Sequence, residues 1–359
     1  MPTRELCLSG LLDIQVNGAV GDWFSSQHIT AESIERILQY YCSCGVTKCL
    51  PTLITADDDV FVHGLRTLRT ANESDFPLSA RMICGVHLEG PWISDADGPR
   101  GAHPRSSVRS ASISDFDRWQ ELSGNRIRLV TLAPECPGAL AVISQLVERN
   151  VVVAIGHTGA GGDLIREAVD RGATLSTHLG NGCSASIDRH SNVFWPQLAD
   201  RRLATSVIAD GAHVPLDLLR TILLCKGASQ VILTSDISGF AGLGPGVHRH
   251  GEMAVESLPD GRIVVAGQPQ YLAGSGVMTA QCVAHWHDVT GMSIEDSWEL
   301  ASSNPRKMLG LTPAETADAG DFVRVRVDRD PSCEGGPRTT LTVLETSIGG
   351  EAVYCNSAE

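Results

Sequence analysis

The stretch Met82-Ile-Cys-Gly-Val-His-Leu88 is a short, mostly apolar run that ends directly before Glu89. Such a run is typical of a buried strand. Three more runs end just before a histidine or an aspartate: residues 151–155 precede His157, residues 173–177 precede His178, and residues 231–235 precede Asp236. Polar side chains gathered at strand ends are a feature of the carboxyl-terminal face of a barrel. The pattern therefore predicts one buried hydrolytic centre.

Apolar runs of this kind alternate with stretches of helical periodicity. Residues 34–41 place apolar side chains at 34, 37, 38 and 41, the spacing of an amphipathic helix. Almost continuously apolar strands that alternate with helices indicate a parallel sheet covered by helices. Because eight repeats favour closure, we predict an α/β fold, a (β/α)8 TIM-type barrel, with strands at 6–16, 46–54, 81–89, 126–133, 151–157, 173–179, 204–210 and 230–236.

The pattern changes twice after the eighth run. Residues 239–276 are rich in Gly and Pro and contain a hairpin pattern at 255–265, turned at Asp260-Gly261, which predicts a lid over the barrel mouth. Helices are expected near 276–289 and 294–303. Residues 322–327 and 341–346 then alternate with a period of two, which favours half-exposed strands. We expect the barrel to occupy residues 1–317 and a small β appendage residues 318–359.

Composition narrows the class of protein. The chain has 359 residues and a net charge of −14, which disfavours nucleic acid and anionic membranes as partners. We find no apolar run long enough to span a membrane, and the N-terminal residues lack the features of a signal peptide. The 11 cysteines follow no regular spacing and are expected to be reduced. We expect a soluble, cytoplasmic protein.

The residues at the strand ends suit a catalytic metal. Glu89, His157 and His178 supply the three ligands that such a site requires, and this donor set suits Zn²⁺, Fe²⁺ or Co²⁺. A carboxylate nearby must accept a proton from water and pass it to the leaving group, and Asp236 is the candidate. A single histidine after a strand is more often an ordinary core residue, but four such coincidences favour a site.

A series of motifs, in order along the chain, resembles one family. It comprises Asp13-Ile-Gln-Val-Asn-Gly18, Leu50-Pro-Thr-Leu-Ile-Thr55, His87-Leu-Glu-Gly-Pro-Trp92, Gly101-Ala-His103, Gly156-His157, Thr177-His-Leu-Gly-Asn181, Ala209-Asp-Gly-Ala-His213 and Leu272-Ala-Gly-Ser275. These look like the N-acetylglucosamine-6-phosphate deacetylases, which belong to the metal-dependent amidohydrolase superfamily. The resemblance covers roughly residues 9 to 311.

The resemblance implies a role for several residues. Glu89, His157 and His178 match metal ligands, and Asp236 matches the catalytic acid and base. His103 matches a histidine that contacts the acetamido carbonyl of the substrate and could stabilise the oxyanion.

A second group of residues matches positions around a sugar phosphate. Asn181 and the backbone of Gly182 lie near the phosphate in the family, Arg189 matches a phosphate-binding arginine, and His213 matches a histidine given by the neighbouring subunit. The resemblance thus implies a phosphorylated N-acetyl amino sugar as substrate and a homodimer. An acidic protein that binds a phosphate needs a local cation, which Arg189 would provide.

The sequence favours one divalent metal per subunit, with zinc first and iron or cobalt as alternatives. Where many amidohydrolases carry His-x-His, this chain has Gln15 and Asn17, and amides are weak ligands. We place both among the substrate-binding residues. The fourth strand contains no lysine that could bridge two metals. Glu135 at its end could be a further ligand or support the site, and the alternative is an ordinary loop carboxylate.

Two departures from the family leave alternatives open. Family members begin with β-structure that pairs with the C-terminal strands, whereas this chain enters its first strand at once, so the appendage must be reduced or completed differently. Residues 180–188 and 190–195 also differ from the usual motif. The alternatives are another N-acyl substrate, such as N-acetylgalactosamine 6-phosphate, and a non-catalytic barrel that only binds.

Overall fold

A computed structural model describes residues 4–74, 76–250, 253–312, 320–333 and 338–356. The strands, in chain order, are β1 Arg4–Ser9, β2 Leu11–Val16, β3 Gly18–Ala19, β4 Asp22–Trp23, β5 Val46–Ile54, β6 Val86–Glu89, β7 Ile127–Leu132, β8 Val152–Ile155, β9 Leu175–Ser176, β10 Ala204–Ile208, β11 Val231–Thr234, β12 Gly246–His250, β13 Met253–Ser257, β14 Ile263–Val265, β15 Gln268–Leu272, β16 Phe322–Asp330, β17 Arg338–Ile348 and β18 Glu351–Cys355.

The α-helices lie between these strands. They are α1 Ala31–Ser43, α2 Asp58–Glu73, α3 Pro77–Met82, α4 Ile113–Leu122, α5 Ala139–Glu148, α6 Gly162–Asp170, α7 Phe194–Ala199, α8 Leu216–Lys226, α9 Thr279–Thr290, α10 Ile294–Glu299 and α11 Ser303–Met308. Within the described ranges, no helix has both the length and the apolar character needed to cross a membrane.

Eight strands form one parallel sheet in the order β11-β10-β9-β8-β7-β6-β5-β2. The two end strands, β11 and β2, meet just beyond β11: the backbone N–H of Asp236 donates to the carbonyl of Gln15 (3.0 Å), and that of Asn17 donates to the carbonyl of Ile237 (3.0 Å). These bonds close the sheet into the predicted (β/α)8 barrel.

The apolar residues divide into two layers. A large cluster joins the barrel strands to the surrounding helices. A smaller cluster takes side chains from seven of the eight barrel strands, as is expected of residues that fill a barrel interior: Leu12, Ile14, Leu50, Leu129, Ala154, Leu175, Ala204 and Ile232, with Leu309. The polar strand ends are therefore supported by a packed core.

Helix α1 illustrates how local sequence sets an element. The hydroxyl oxygen of Thr30 accepts a hydrogen bond from the backbone N–H of Ser33 (3.2 Å), which caps the helix. The predicted apolar face is buried, including Ile34 and Tyr41. The amphipathic helix predicted for residues 34–41 is confirmed.

The first predicted strand, 6–16, is wrong as a single element. Residues Arg4–Ser9 form β1, which pairs antiparallel with β16, and only β2 belongs to the barrel. A sheet in the order β1-β16-β17-β18 results, so the N-terminal strand completes the C-terminal appendage. The predicted strand at 81–89 is also too long, because residues Pro77–Met82 form α3 and the strand begins at Val86.

The excursion after β11 is a four-stranded antiparallel sheet, β12-β13-β14-β15. The predicted hairpin is present, with Ser257 paired to Ile263 across the turn, but β12 and β15 were not foreseen. The excursion leaves and returns beside Asp236, because Ser238 N–H donates to the carbonyl of Ser275 (2.8 Å) and Ser275 N–H to that of Asp236 (3.3 Å).

Candidate active site

Three side chains from three strand ends meet in one buried cluster. Glu89 is the last residue of β6, His157 lies two residues beyond β8, and His178 lies two residues beyond β9. Glu89 Oε1 is 3.1 Å from His157 Nε2 and 2.8 Å from His178 Nε2, and the two nitrogens are 3.1 Å apart. All three residues are buried. The structure brings together the three residues that the sequence proposed as ligands.

The backbone at these strand ends turns sharply. His157, His178 and Asp236 have φ angles of +50°, +31° and +49°. Residues other than glycine rarely adopt this left-handed conformation, and they keep it only where their surroundings hold them. The turn directs each side chain inward immediately after its strand ends, so the site depends on the contacts that maintain these turns.

The orientation of His157 follows from one hydrogen bond. Its Nδ1 is 2.9 Å from the carbonyl oxygen of Pro99, which can only accept. Nδ1 therefore carries the proton, and Nε2 presents its lone pair to Glu89 and His178.

The charges in the cluster are coupled. Burial disfavours ionisation of Glu89, but the adjacent imidazoles of His157 and His178 outweigh it and hold the pKa of this carboxyl well below its ordinary value. Burial also disfavours the charged form of His178, but the adjacent Glu89 carboxylate raises the pKa of this imidazole above its ordinary value. The centre thus combines a carboxylate with two imidazoles that would accept a cation.

Asp236 lies beside the cluster and is held by two amides. Asn17 Nδ2 donates to its Oδ1 at 2.8 Å, and Gln15 Nε2 donates to the same oxygen at 3.3 Å. Gln15 Nε2 also donates to Glu89 Oε1 at 2.7 Å. Burial and then the charge of Glu89 raise the pKa of the Asp236 carboxyl above its ordinary value. Gln15 and Asn17 therefore contact the two carboxylates of the site.

His103 is on the loop between β6 and α4, with its ring centre 4.3 Å from that of His157. Burial, followed by the nearby His157, lowers the pKa of His103 to about 3, so its imidazole is neutral near pH 7. Its Nδ1 is buried and has no hydrogen-bond partner among the described residues. A buried polar atom of this kind is available to a ligand.

The residues predicted to surround a phosphate do not form one cluster as Glu89, His157 and His178 do. Asn181 N–H donates to the carbonyl of His178 (2.9 Å), and a Cβ added to Gly182 would lie 2.8 Å from His157 Nδ1. Both residues therefore adjoin the cluster. Arg189 is exposed on the same loop. His213 Nδ1 is 2.7 Å from Asp210 Oδ2 of its own chain.

Sequence reasoning missed one feature and left another undecided. The carbonyl of Pro99 sets the tautomer of His157, and a backbone oxygen has no signature in sequence. Glu135 was undecided between ligand and support. The cluster of potential ligand atoms, which lie within 4.8 Å of one another, contains Glu89, His157 and His178 but not Glu135.

The donor set fits a divalent metal. Two imidazole nitrogens and a carboxylate oxygen, all buried and directed at one point, form the three-ligand arrangement of catalytic zinc-type sites. Without a cation or shared protons, these acceptor atoms would repel one another at such short separations.

Known proteins share both sequence and fold with this chain. No protein-family model matches it. N-acetylglucosamine-6-phosphate deacetylase of Bos taurus is 33% identical over 357 residues, which cover 96% of this chain and 82% of the relative. The chain belongs to the N-acetylglucosamine-6-phosphate deacetylase family. N-acetylgalactosamine-6-phosphate deacetylase of Escherichia coli O157:H7 is 27% identical over 319 residues, 86% of this chain and 79% of the relative.

Solved structures agree with membership of the N-acetylglucosamine-6-phosphate deacetylase family. A mutant of this enzyme from Mycobacterium smegmatis, in complex with N-acetyl-D-glucosamine-6-phosphate, superposes with a TM-score of 0.81 at 30% identity, covering 97% of this chain and 87% of the other. The predicted family and barrel are both confirmed.

Proposed function

We propose that this protein hydrolyses the acetamido group of N-acetylglucosamine 6-phosphate. Water adds across the C–N bond, so that the acetyl group leaves as acetate and the amine remains on glucosamine 6-phosphate. The observation that carries this proposal is the convergence of Glu89, His157, His178 and Asp236 in one buried centre of a chain from this family.

The proposed cofactor is one divalent metal per subunit, held by Glu89, His157 and His178. Zinc is the first choice because two imidazoles and a carboxylate suit it, and iron and cobalt are the alternatives. A metal in this position would polarise the acetamido carbonyl and lower the pKa of the attacking water. Gln15 and Asn17 direct amide N–H groups at Glu89 and Asp236 and so do not act as metal ligands. This arrangement favours one metal over two.

Asp236 is proposed to move the proton. Its Oδ1 accepts from Asn17 and Gln15, which fixes the carboxylate plane and leaves Oδ2 to accept a proton from water. Burial and the charge of Glu89 raise the pKa of Asp236, which strengthens this carboxylate as a base. The same carboxyl group then returns the proton to the departing amine.

His103 is proposed to stabilise the oxyanion. A neutral imidazole carries one N–H, and the pKa of about 3 keeps His103 neutral near pH 7. Its buried ring beside His157 would donate a hydrogen bond to the carbonyl oxygen as negative charge develops there.

The phosphate end of the substrate is assigned to the loop that follows His178. We propose that Asn181, the backbone of Gly182 and Arg189 bind it, with His213. The homodimer in which His213 serves the partner's site stays a prediction, as does a cytoplasmic location. His213 is held by Asp210, three residues before it in the chain, through a contact of 2.7 Å between Nδ1 and Oδ2.

The test is acetate release by metal-loaded protein from three substrates: N-acetylglucosamine 6-phosphate, its unphosphorylated form and the galacto epimer of the phosphate. We expect preference for the phosphorylated gluco sugar. Preference for the galacto epimer would favour the second candidate, which the Escherichia coli relative supports. Bound metal without hydrolysis of any of the three would contradict the proposal and favour a binding protein.

A further inference from the structure

Glu135 follows β7 and holds the turn that carries His157. Its Oε2 accepts a hydrogen bond from the hydroxyl of Thr158 at 2.5 Å, and its Oε1 accepts one from the backbone N–H of Gly159 at 2.7 Å. Both oxygens of one half-buried carboxylate are therefore bound to the two residues directly after His157. Hydrogen bonds to an ionised acceptor are among the stronger ones in proteins.

Thr158 extends this contact along the turn. Its hydroxyl, which donates to Glu135, also accepts from the backbone N–H of Ala160 at 3.0 Å. The Thr158 side chain is buried, so water does not readily replace either bond. Three consecutive residues after His157 are thus tied directly or indirectly to Glu135.

The other contacts of His157 do not by themselves hold the residues from Thr158 to Ala160 in place. The imidazole is fixed by the carbonyl of Pro99, and the carbonyl of His157 accepts from the backbone N–H of Ser94 at 3.0 Å. The first contact fixes the ring and the second fixes the peptide between His157 and Thr158, but neither reaches the side chain of Thr158 or the backbone N–H of Gly159. Because His157 has a φ of +50°, its conformation requires support from the turn on both sides.

We infer that Glu135 is a positioning residue of the metal centre, which acts through Thr158 and Gly159 and does not contact the metal. It keeps His157 in its left-handed conformation, with Nε2 directed at Glu89 and His178. The inference rests on the metal site of the proposed function. Support of a ligand from outside the ligand set is a general feature of metal sites and affects metal affinity.

The experiment measures zinc affinity, without substrate, by equilibrium competition with a chromogenic chelator. Glu135→Gln leaves one acceptor oxygen of two, and Thr158→Val removes the hydroxyl. Each is expected to weaken zinc binding about 10- to 100-fold. Thr158→Ser keeps the hydroxyl and should bind zinc as the wild type does. Glu148→Gln, an exposed glutamate at the end of α5, is the matched control and should also be unchanged.

A purely structural role predicts a different result. It would lower the thermal midpoint of the metal-free protein and leave zinc affinity unchanged at temperatures where the variants are folded, as circular dichroism would verify. The double variant Glu135→Gln with Thr158→Val should weaken zinc binding by less than the product of the two single effects, because the two residues share the contact between the Thr158 hydroxyl and Glu135. If Glu135→Gln does not fold, the Thr158→Val and Thr158→Ser pair carries the test.

Two outcomes overturn the inference, and they are distinct. Zinc affinity of Glu135→Gln and Thr158→Val within about twofold of the wild type would remove the positioning role and leave the metal centre intact. A wild-type protein that binds no zinc, iron or cobalt would overturn the metal centre and the inference with it.

Discussion

Gly182 lies against the imidazole of His157. A Cβ added at position 182 would stand 2.8 Å from Nδ1 and 3.0 Å from Cε1 of that ring, and Gly182 has a φ of +55°. The side-chain atom would meet the nitrogen that donates to Pro99. The loop after His178 can therefore close over the centre only if this position has no side chain.

Gly182→Ala is expected to weaken metal binding more than it destabilises the fold. The left-handed backbone costs alanine about 1–2 kcal/mol, and the methyl group in addition displaces the His157 ring. Gly101→Ala is the matched control, because Gly101 has a φ of +59° but its added Cβ would lie 3.5 Å from His157 Cε1, an ordinary contact. Calorimetric zinc titration should show a loss of zinc affinity for Gly182→Ala and no loss for Gly101→Ala. Equal affinities for both variants would contradict the steric argument.

Asp13 joins the two ends of the barrel sheet and is fully buried. Its Oδ1 accepts from the Thr234 hydroxyl (2.5 Å) and the Gln15 N–H (3.1 Å), and its Oδ2 from the Ser235 N–H (3.0 Å) and the Thr279 hydroxyl (2.5 Å). Asp13→Asn replaces one acceptor with a donor, so buried donors lose their partners.

The expected cost of Asp13→Asn is about 2–3 kcal/mol of unfolding free energy. Denaturant titration followed by circular dichroism would measure it. Asp163→Asn is a suitable control, because the Asp163 side chain is fully exposed and its pair with Arg166 should contribute little. Equal midpoints for both variants would show that the Asp13 network does not hold the barrel seam.

Arg189→Ala tests the proposed phosphate contact. Loss of a charge-assisted contact should raise KM for N-acetylglucosamine 6-phosphate about 10- to 100-fold, while activity toward the unphosphorylated sugar stays the same. Arg201→Ala removes an equal charge from another exposed position. It should change neither the KM for the phosphorylated sugar nor the activity toward the unphosphorylated sugar. An equal loss on both sugars with Arg189→Ala would argue that this residue acts on the loop and not on the phosphate.

The reactivity of each cysteine toward alkylating reagents should depend on its burial. Cys42 is buried and Cys84 is partly buried. Burial raises the pKa of the Cys42 thiol to about 12 and that of Cys84 to about 11, so both should stay protonated at pH 8 and react slowly. Cys7, Cys225 and Cys355 are exposed.

Brief treatment of the native protein with iodoacetamide at pH 8, followed by peptide mass spectrometry, should label the three exposed cysteines first. Cys42 and Cys84 should react only after the protein is unfolded in guanidinium, which serves as the positive control. Rapid labelling of Cys42 in the native state would show that this thiol is accessible and would contradict its buried position.

The metal cluster could be predicted from sequence because of barrel geometry. Glu89 and His178 are 89 positions apart, but Glu89 ends β6 and His178 lies two residues beyond β9, and the carboxyl ends of parallel strands meet at one face. The residue type at each strand end was therefore enough to group them. The same reasoning located Asp236.

Features that depend on partners far away in the chain could not be predicted from the sequence. Residues 4–9 are as strand-like as residues 11–16, and only pairing with β16, more than 300 positions away, separates them into two sheets. The role of Glu135 was equally hidden, since its partners are a hydroxyl and a backbone N–H whose positions the fold alone determines.

In the proposed function, Glu89, His157 and His178 hold a metal while Asp236 moves the proton. The most direct measurement is metal content beside acetate release from N-acetylglucosamine 6-phosphate for the wild type, Asp236→Asn and Glu89→Gln. Asp236→Asn should keep its metal and lose about 10²- to 10⁴-fold in turnover, whereas Glu89→Gln should lose the metal itself. Full turnover by metal-loaded Asp236→Asn would contradict the proposed role of Asp236.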